Sequence, residues 1–227
     1  MNANIQIISI EGNIGSGKST LLENLRSHYA DNNNIIFLKE PVDEWETIKD
    51  ETGITMLEKF YQDQTKYSFP FQMMAFISRL SLLKKTVDSL KNTTTPTIII
   101  SERSLYTDKM VFAQMLYDSG NMEYIQYQIY LKWFQEFVNE YSISKIIYVK
   151  TQPEICYSRI ERRSRVGESV IPLDYLNNCD QYHAKMLDLT SLDCVCKNQI
   201  ILNGNIDIYE NSSELKTWIQ QIEQFIC

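Results

Sequence analysis

The chain is 227 residues long, 44% hydrophobic and 22% charged, which supplies a sizeable core and excludes a chain disordered by composition. Its 29 acidic residues outnumber 22 basic ones, and the net charge of −7 argues against nonspecific binding to nucleic acid or to an anionic membrane. The length fits one large domain, so a single domain over residues 1–227 is expected.

The opening MNANIQIISIEG has no basic leader region, and its apolar run is too short for a secretion signal or a membrane span. Cysteines stand at Cys156, Cys179, Cys194, Cys196 and Cys227, an odd set without Cys-x-x-Cys spacing, so a reducing intracellular compartment, the cytoplasm, is expected. Cys194 and Cys196 lack third and fourth partners for a metal. Only His28 and His183 are present, which leaves little for histidine-based catalysis.

Short apolar, β-branched runs at 5–10, 35–39, 97–101, 145–150 and 199–203 alternate with helical patterns. They predict the strands of a parallel sheet covered by helices on both faces, an α/β fold. Helices are predicted over 17–29, 53–67, 71–91, 104–119, 123–140, 153–164, 173–189 and 212–225. In open sheets of this kind the ligand crevice lies at the strand C-termini, which gathers segments 11–19, 40–45 and 101–106 around one site.

After the first strand, GNIGSGKST at 12–20 fits Gly-x-x-x-x-Gly-Lys-Ser between a strand and a helix. Gly12, Gly15 and Gly17 permit backbone conformations that a side chain would forbid. The N–H groups of this turn, from Gly12, Asn13 and Ile14 through Ser16 to Thr20, can then converge on phosphate oxygens at a helix N-terminus. Lys18 is spaced to reach the β- and γ-phosphates, and the Ser19 hydroxyl to ligate Mg²⁺. An ordinary glycine-rich turn would need neither the lysine nor the serine.

Glu40 follows the second strand, with Trp45 five residues on. A carboxylate there can accept a hydroxyl proton beside the phosphate loop; the plainer alternative is a solvated loop acid. Gln72, Ala75 and Arg79 form one helical stripe behind Phe71, and Gln72 offers the donor and acceptor that match the polar edge of a base. After the third strand, Glu102 can hold a Mg²⁺ hydration shell and Arg103 a reacting oxygen, unless the two are only an ion pair at a helix start. Asp108 and Phe112 add an acceptor and a ring at i and i+4.

The 123–140 helix carries Tyr124, Tyr127, Tyr130, Trp133, Phe134 and Phe137 on more than one face, so it either lies fully buried or packs against its own core and a second subunit. In RIERRSR, Arg159, Arg162 and Arg163 share a helical face and Arg165 lies just beyond the helix end. That cluster can stabilise a transferring phosphoryl group or form a basic surface patch.

Taken in order, EGNIGSGKST, EPVDEW, KYSFPFQ with Arg79, SERSLYTDKMVF, RIERRSR and IPLDYL resemble the deoxynucleoside kinase family over most of residues 5–176, the C-terminal quarter less so. The resemblance implies a homodimeric P-loop kinase with a five-stranded parallel sheet and an arginine-rich lid at about 159–169. It implies phosphate transfer from ATP or another nucleoside triphosphate, with Mg²⁺, to the 5′-hydroxyl of a deoxynucleoside in nucleotide salvage.

On the family pattern Lys18 and Ser19 serve ATP and metal, Glu102 supports the metal, Glu40 takes the hydroxyl proton and Arg103 assists it. Arg163 and Arg165 lie in the lid over the phosphates. Tyr61 and Glu168 match holders of the 3′-hydroxyl; Trp45, Phe71 and Phe112 match aromatic walls; Gln72, Arg79 and Asp108 match base-edge readers. Ala75 with Arg79 and Asp108 resembles the deoxycytidine and purine branch, so thymidine is expected to be a poor substrate. Residues 164–169 depart from the pattern except in their spacing to Pro172. A nucleoside monophosphate kinase is the nearest rival, but Glu40 would repel an acceptor phosphate. A noncatalytic P-loop switch would leave Glu40, Gln72 and the arginines without a purpose.

Overall fold

The structure is a computed structural model and describes residues 4–163 and 171–226. Strands β1 (Ile5–Glu11), β2 (Ile35–Leu38), β3 (Thr97–Glu102), β4 (Lys145–Lys150) and β5 (Gln199–Asn203) form one parallel sheet in the order β2-β3-β1-β4-β5. All five expected strands are present, each within a residue or so of its predicted ends. Strands buried on both faces read as continuous apolar runs, because alternate residues feed two different cores. Ile5, Ile7 and Ile99 enter one core, whereas Ile8, Ile10, Ile100, Ile147 and Val149 enter the other. The chain leaves β1 toward β2 on one side and later crosses to β4 on the other, so the crevice opens at the C-terminal end of β1.

Helix α1 (Lys18–His28) packs Leu21, Leu22 and Leu25 on the second core together with Trp218 and Ile222 of the C-terminal helix. A short helix that sequence patterning does not show, α2 (Val42–Trp45), follows β2 and buries Val42 and Trp45. The predicted break at 68–70 falls instead at Asp63. There α3 (Met56–Gln62) ends, and the Asp63 carboxylate accepts from Lys66 N at 3.1 Å to cap α4 (Gln64–Ser89). Thr55 and Glu58 form a capping box that starts α3. Pro70 lies inside α4, where it forfeits one backbone bond; burial of Phe71, Gln72, Ala75 and Phe76 on the next turns carries the helix through.

The predicted 104–119 helix is built of three registers: α5 (Leu105–Thr107), a π-helical segment (Asp108–Ala113) and α6 (Gln114–Asp118). The aromatic helix α7 (Tyr124–Val138) buries Tyr127, Tyr130, Phe134 and Val138, yet leaves Tyr124, Ile125, Ile129 and Trp133 between 43% and 66% exposed. It is therefore not enclosed on all sides. Helices α8 (Pro153–Arg163), α9 (Leu173–Met186) and α10 (Ser212–Ile226) complete the described chain. Among the described residues, no helix is long and apolar enough to cross a membrane.

Candidate active site

The glycine-rich loop turns directly off β1. Gly12 has φ +147°, and a Cβ there would stand 2.6 Å from the Val149 carbonyl oxygen; Gly17, at φ +101°, starts α1 in the left-handed region. These conformations aim the first amides of α1 into the crevice. Lys18 is buried and donates from Nζ to the Asn13 carbonyl at 2.7 Å. Burial, with Arg103 nearby, lowers its pKa to about 7 against the opposing pull of Glu102 and Glu40. An ammonium so weakly compensated is poised for an anionic ligand.

The Ser19 hydroxyl donates to Glu102 Oε1 at 2.5 Å. Hydroxyl and carboxylate are the hard oxygen donors that Mg²⁺ takes alongside phosphate oxygens and water. Among the described residues no three His, Cys, Asp or Glu side chains gather as a closed metal cage, and a phosphate-bound Mg²⁺ requires none.

Opposite the loop lies a chain of charges contributed by separate elements. Arg79 of α4 donates from Nε to Asp108 Oδ2 at 2.8 Å, from Nη2 to Glu40 Oε1 at 2.8 Å and from Nη1 to the Glu102 carbonyl at 2.7 Å. Burial opposes its charge, but Asp108 and Glu40 outweigh that and hold the guanidinium pKa above the ordinary value. Arg103 places Nε 3.2 Å from the same Glu40 oxygen, and its Nη1 donates to the Gly12 carbonyl at 3.1 Å. Burial alone would raise the Glu40 pKa, yet Arg103, Arg79 and Lys18 bring it down to about 2. Arg103 has φ +64°, the only positive φ at a non-glycine among the described residues. A left-handed backbone costs an L-residue roughly 1–2 kcal/mol and persists where its surroundings enforce it.

A cleft of about 640 Å³ joins these groups, a volume suited to a small organic ligand. The loop from Ile14 to Thr20 lines it, as do Glu40, Glu102, Arg103 and Arg163. So do Trp45, Tyr61, Phe71, Gln72, Ala75, Asp108 and Phe112. Trp45 is fixed by an Nε1 bond to Ser78 Oγ at 2.8 Å and by edge contact with Phe71, which stacks on Phe60. Phe112 carries the Arg103 guanidinium over its face at 4.9 Å. Gln72 is buried, and its Oε1 has no hydrogen-bond partner among the described residues. A buried amide oxygen left unpaired calls for a donor.

Three expected groups stand back from the cleft surface. Gly12 and Asn13 lie behind the loop, where Asn13 Nδ2 donates to the Leu176 carbonyl at 2.9 Å. Arg79 lies behind Glu40 and Asp108. Arg165 and Glu168 fall outside the described residues, as does all of the expected lid beyond Arg163.

The cleft wall also includes Asp207, Ile208 and Tyr209 from the loop after β5, which sequence reading missed. Asp207 pairs with Arg162 at 3.5 Å and with Arg159 at 3.8 Å, so this loop meets the basic face of α8. The signal was available, because the loop follows a strand C-terminus just as 40–45 and 101–106 do.

A glycine-rich anion cradle, a hydroxyl–carboxylate pair beside it and a buried carboxylate across a nucleoside-sized cleft define a P-loop phosphotransferase. The chain matches the deoxynucleoside kinase family model over residues 8–227 and belongs to that family. It is similar to a probable deoxycytidine kinase of fowlpox virus (strain NVSL), 35% identical over 96% of this chain and 87% of the relative. It is also similar to deoxycytidine kinase 2 of Gallus gallus, 30% identical over 96% and 89% of the two chains. A mitochondrial thymidine kinase 2 of Macaca fascicularis is 31% identical over 88% of this chain and 71% of its own. The protein is thus an enzyme that phosphorylates deoxynucleosides from a nucleotide donor, and the family match reaches through the C-terminal quarter, where the motif resemblance was loose.

Proposed function

We propose that Glu40 receives the proton of the deoxynucleoside 5′-hydroxyl as that oxygen attacks the γ-phosphorus of ATP or another nucleoside triphosphate. The bond to the β–γ bridging oxygen breaks, and a 5′-monophosphate and a diphosphate leave. The carrying observation is the Glu40 carboxylate held between Arg79 and Arg103 on the cleft wall. With its pKa held at about 2 by these cations, Glu40 by itself is a weak base. A γ-phosphate beside Lys18 and Arg103 adds negative charge that offsets their pull, so donor binding itself makes Glu40 a better proton acceptor. The loose transition state of phosphoryl transfer asks for proton removal only late.

Lys18, the loop amides and the arginines Arg163 and Arg165 hold the donor phosphates in this reading, and Ser19 and Glu102 hold Mg²⁺. An ion held there would neutralise charge developing on the phosphate oxygens. Tyr61 and Glu168 are assigned to the sugar 3′-hydroxyl, and Trp45, Phe71 and Phe112 to the faces of the base.

For the base edge, Asp108, though its carboxylate already accepts from Arg79, favours a donor opposite it, and Gln72 Oε1, unpaired among the described residues, needs one. Cytosine and adenine present an amino group; thymine sets a carbonyl there, leaving a buried acceptor facing an acceptor. Deoxycytidine and deoxyadenosine are favoured on this ground, and deoxyguanosine, which also carries a carbonyl there, on the resemblance of Ala75, Arg79 and Asp108 to the deoxycytidine and purine branch. Apolar side chains exposed on α7, with Ile77 of α4 51% exposed, support a C2 homodimer of single-domain subunits. The free thiols of Cys156, Cys179, Cys194 and Cys196 suit a reducing cytoplasm.

The test is transfer of labelled phosphate from ATP to the four deoxynucleosides, their ribo-forms and their monophosphates. Preferred transfer to a monophosphate would overturn the reading, as would equal or better kcat/KM for thymidine than for the other three.

A further inference from the structure

Glu11, the last residue of β1, is 0% exposed, and among the described residues only hydroxyls hold its carboxylate. Ser9 Oγ donates to Oε1 at 2.5 Å, Ser104 Oγ donates to Oε1 at 2.8 Å, and Thr107 Oγ1 donates to Oε2 at 2.5 Å. Ser104 and Thr107 already cap α5 through each other, so the helix start does not need a third group. A buried acid without a cation is costly to keep, and such groups are retained where they fix a geometry.

What this one fixes is the turn between β3 and α5. Arg103 sits in that turn with its left-handed φ of +64°. On one side its N–H donates to the Ile10 carbonyl of β1 at 2.9 Å; on the other, Ser104 is tied to Glu11. Ser101 Oγ donates to the Arg103 carbonyl at 2.9 Å and closes the turn. Arg103 is thereby clamped to β1 from both flanks, with its guanidinium on Glu40 and the Gly12 carbonyl.

We propose that Glu11 is a positioning residue for the phosphoryl-transfer step, acting through Arg103. By anchoring Ser104 and Thr107 to the strand that feeds the phosphate loop, it holds Arg103 in the one backbone conformation that reaches Glu40. The inference rests on the reading of Glu40 and Arg103 given above, and a double-mutant cycle separates the two.

Kinetics are measured for the wild type, Glu11→Gln, Arg103→Ala and the double variant. Glu11→Gln keeps the shape but presents a donor to one of the three hydroxyls. It should lower kcat about tenfold while the deoxynucleoside KM stays within about twofold, the split expected when a group is lost that acts in the transition state. In the Arg103→Ala background the same change should cost less than about twofold, because residues acting as a unit are not additive. Glu11→Gln with wild-type kcat, or with an equal loss in both backgrounds, would overturn the positioning role. Wild-type turnover of Arg103→Ala would refute instead the part given to Arg103. Should Glu11→Gln not fold, Thr107→Val removes one hydroxyl from the carboxylate and is held to the same two criteria.

Discussion

The two ends of the cleft are built by opposite means. The donor end is one continuous stretch of backbone, Gly12 to Thr20, which carries the buried Lys18 with its ammonium on the Asn13 carbonyl. The opposite end is made of side chains from four places, Glu40, Arg79, Arg103 and Asp108, locked together in direct ion pairs. Backbone amides bind any triphosphate, since they read charge and spacing only. A constellation of side-chain charges held by direct ion pairs can discriminate, because the pairs fix the directions in which its remaining polar atoms face. In the reading proposed above, the loop end thus suits tolerance of the phosphate donor and the charge cluster suits selection of the acceptor.

Four experiments sharpen or break that contrast. Glu40→Gln should lower kcat by roughly 100-fold or more, the range for loss of a general base, with the fold intact. Near-normal turnover in steady-state assays would return the acceptor end to a purely binding role. Replacing Arg79 with Met and Asp108 with Ala should raise the thymidine-to-deoxycytidine ratio of kcat/KM by about tenfold or more, since the rejecting acceptor is gone. Overall kcat should fall at the same time, because Arg79 also holds Glu40. An unchanged ratio would mean that neither residue selects the base.

Trp133→Glu, on the exposed stripe of α7, should convert a dimer to a monomer in sedimentation velocity at micromolar concentration. A wild-type monomer under those conditions would remove that interface.

The last experiment concerns pH and reads stability instead of turnover. His183 is fully buried, donates from Nδ1–H to the Cys179 carbonyl at 2.7 Å, and has its pKa lowered by burial from 6.5 to about 3. Above pH 6.5 the ring is neutral in both folded and unfolded chains and contributes no slope. Below it only the unfolded chain takes up the proton, so stability falls with pH until about pH 3. Between pH 7 and pH 5 the loss should be about 2 kcal/mol, and urea unfolding of His183→Gln should lack that share of the slope. Parallel slopes would show that the ring titrates in the folded protein.

Legibility in the sequence followed how local each feature is. The strands and the phosphate loop announce themselves through contiguous patterning and fixed spacing. The acceptor cluster was visible only as separate residues. That Arg79 would hold both Asp108 and Glu40 depends on α4 crossing the ends of β2 and β3, which no local pattern states. The break at Asp63 was obscured by Pro70, a stronger breaker on propensity that buried packing overrode. The π segment at 108–113 carries the same apolar spacing as an α-helix and shows itself only through its bonds.

The shared guanidinium of Arg79 also constrains how such an enzyme can diverge. One side chain grips both Asp108 and Glu40, the carboxylates proposed above for the base edge and for the reacting oxygen. Substitutions that open the cleft to a new base remove a partner of Glu40 in the same step, so selectivity and turnover are inherited together. A lineage shifting its substrate would pass through slower intermediates and recover speed through later changes around Arg103, which pairs with Glu40 without touching Asp108.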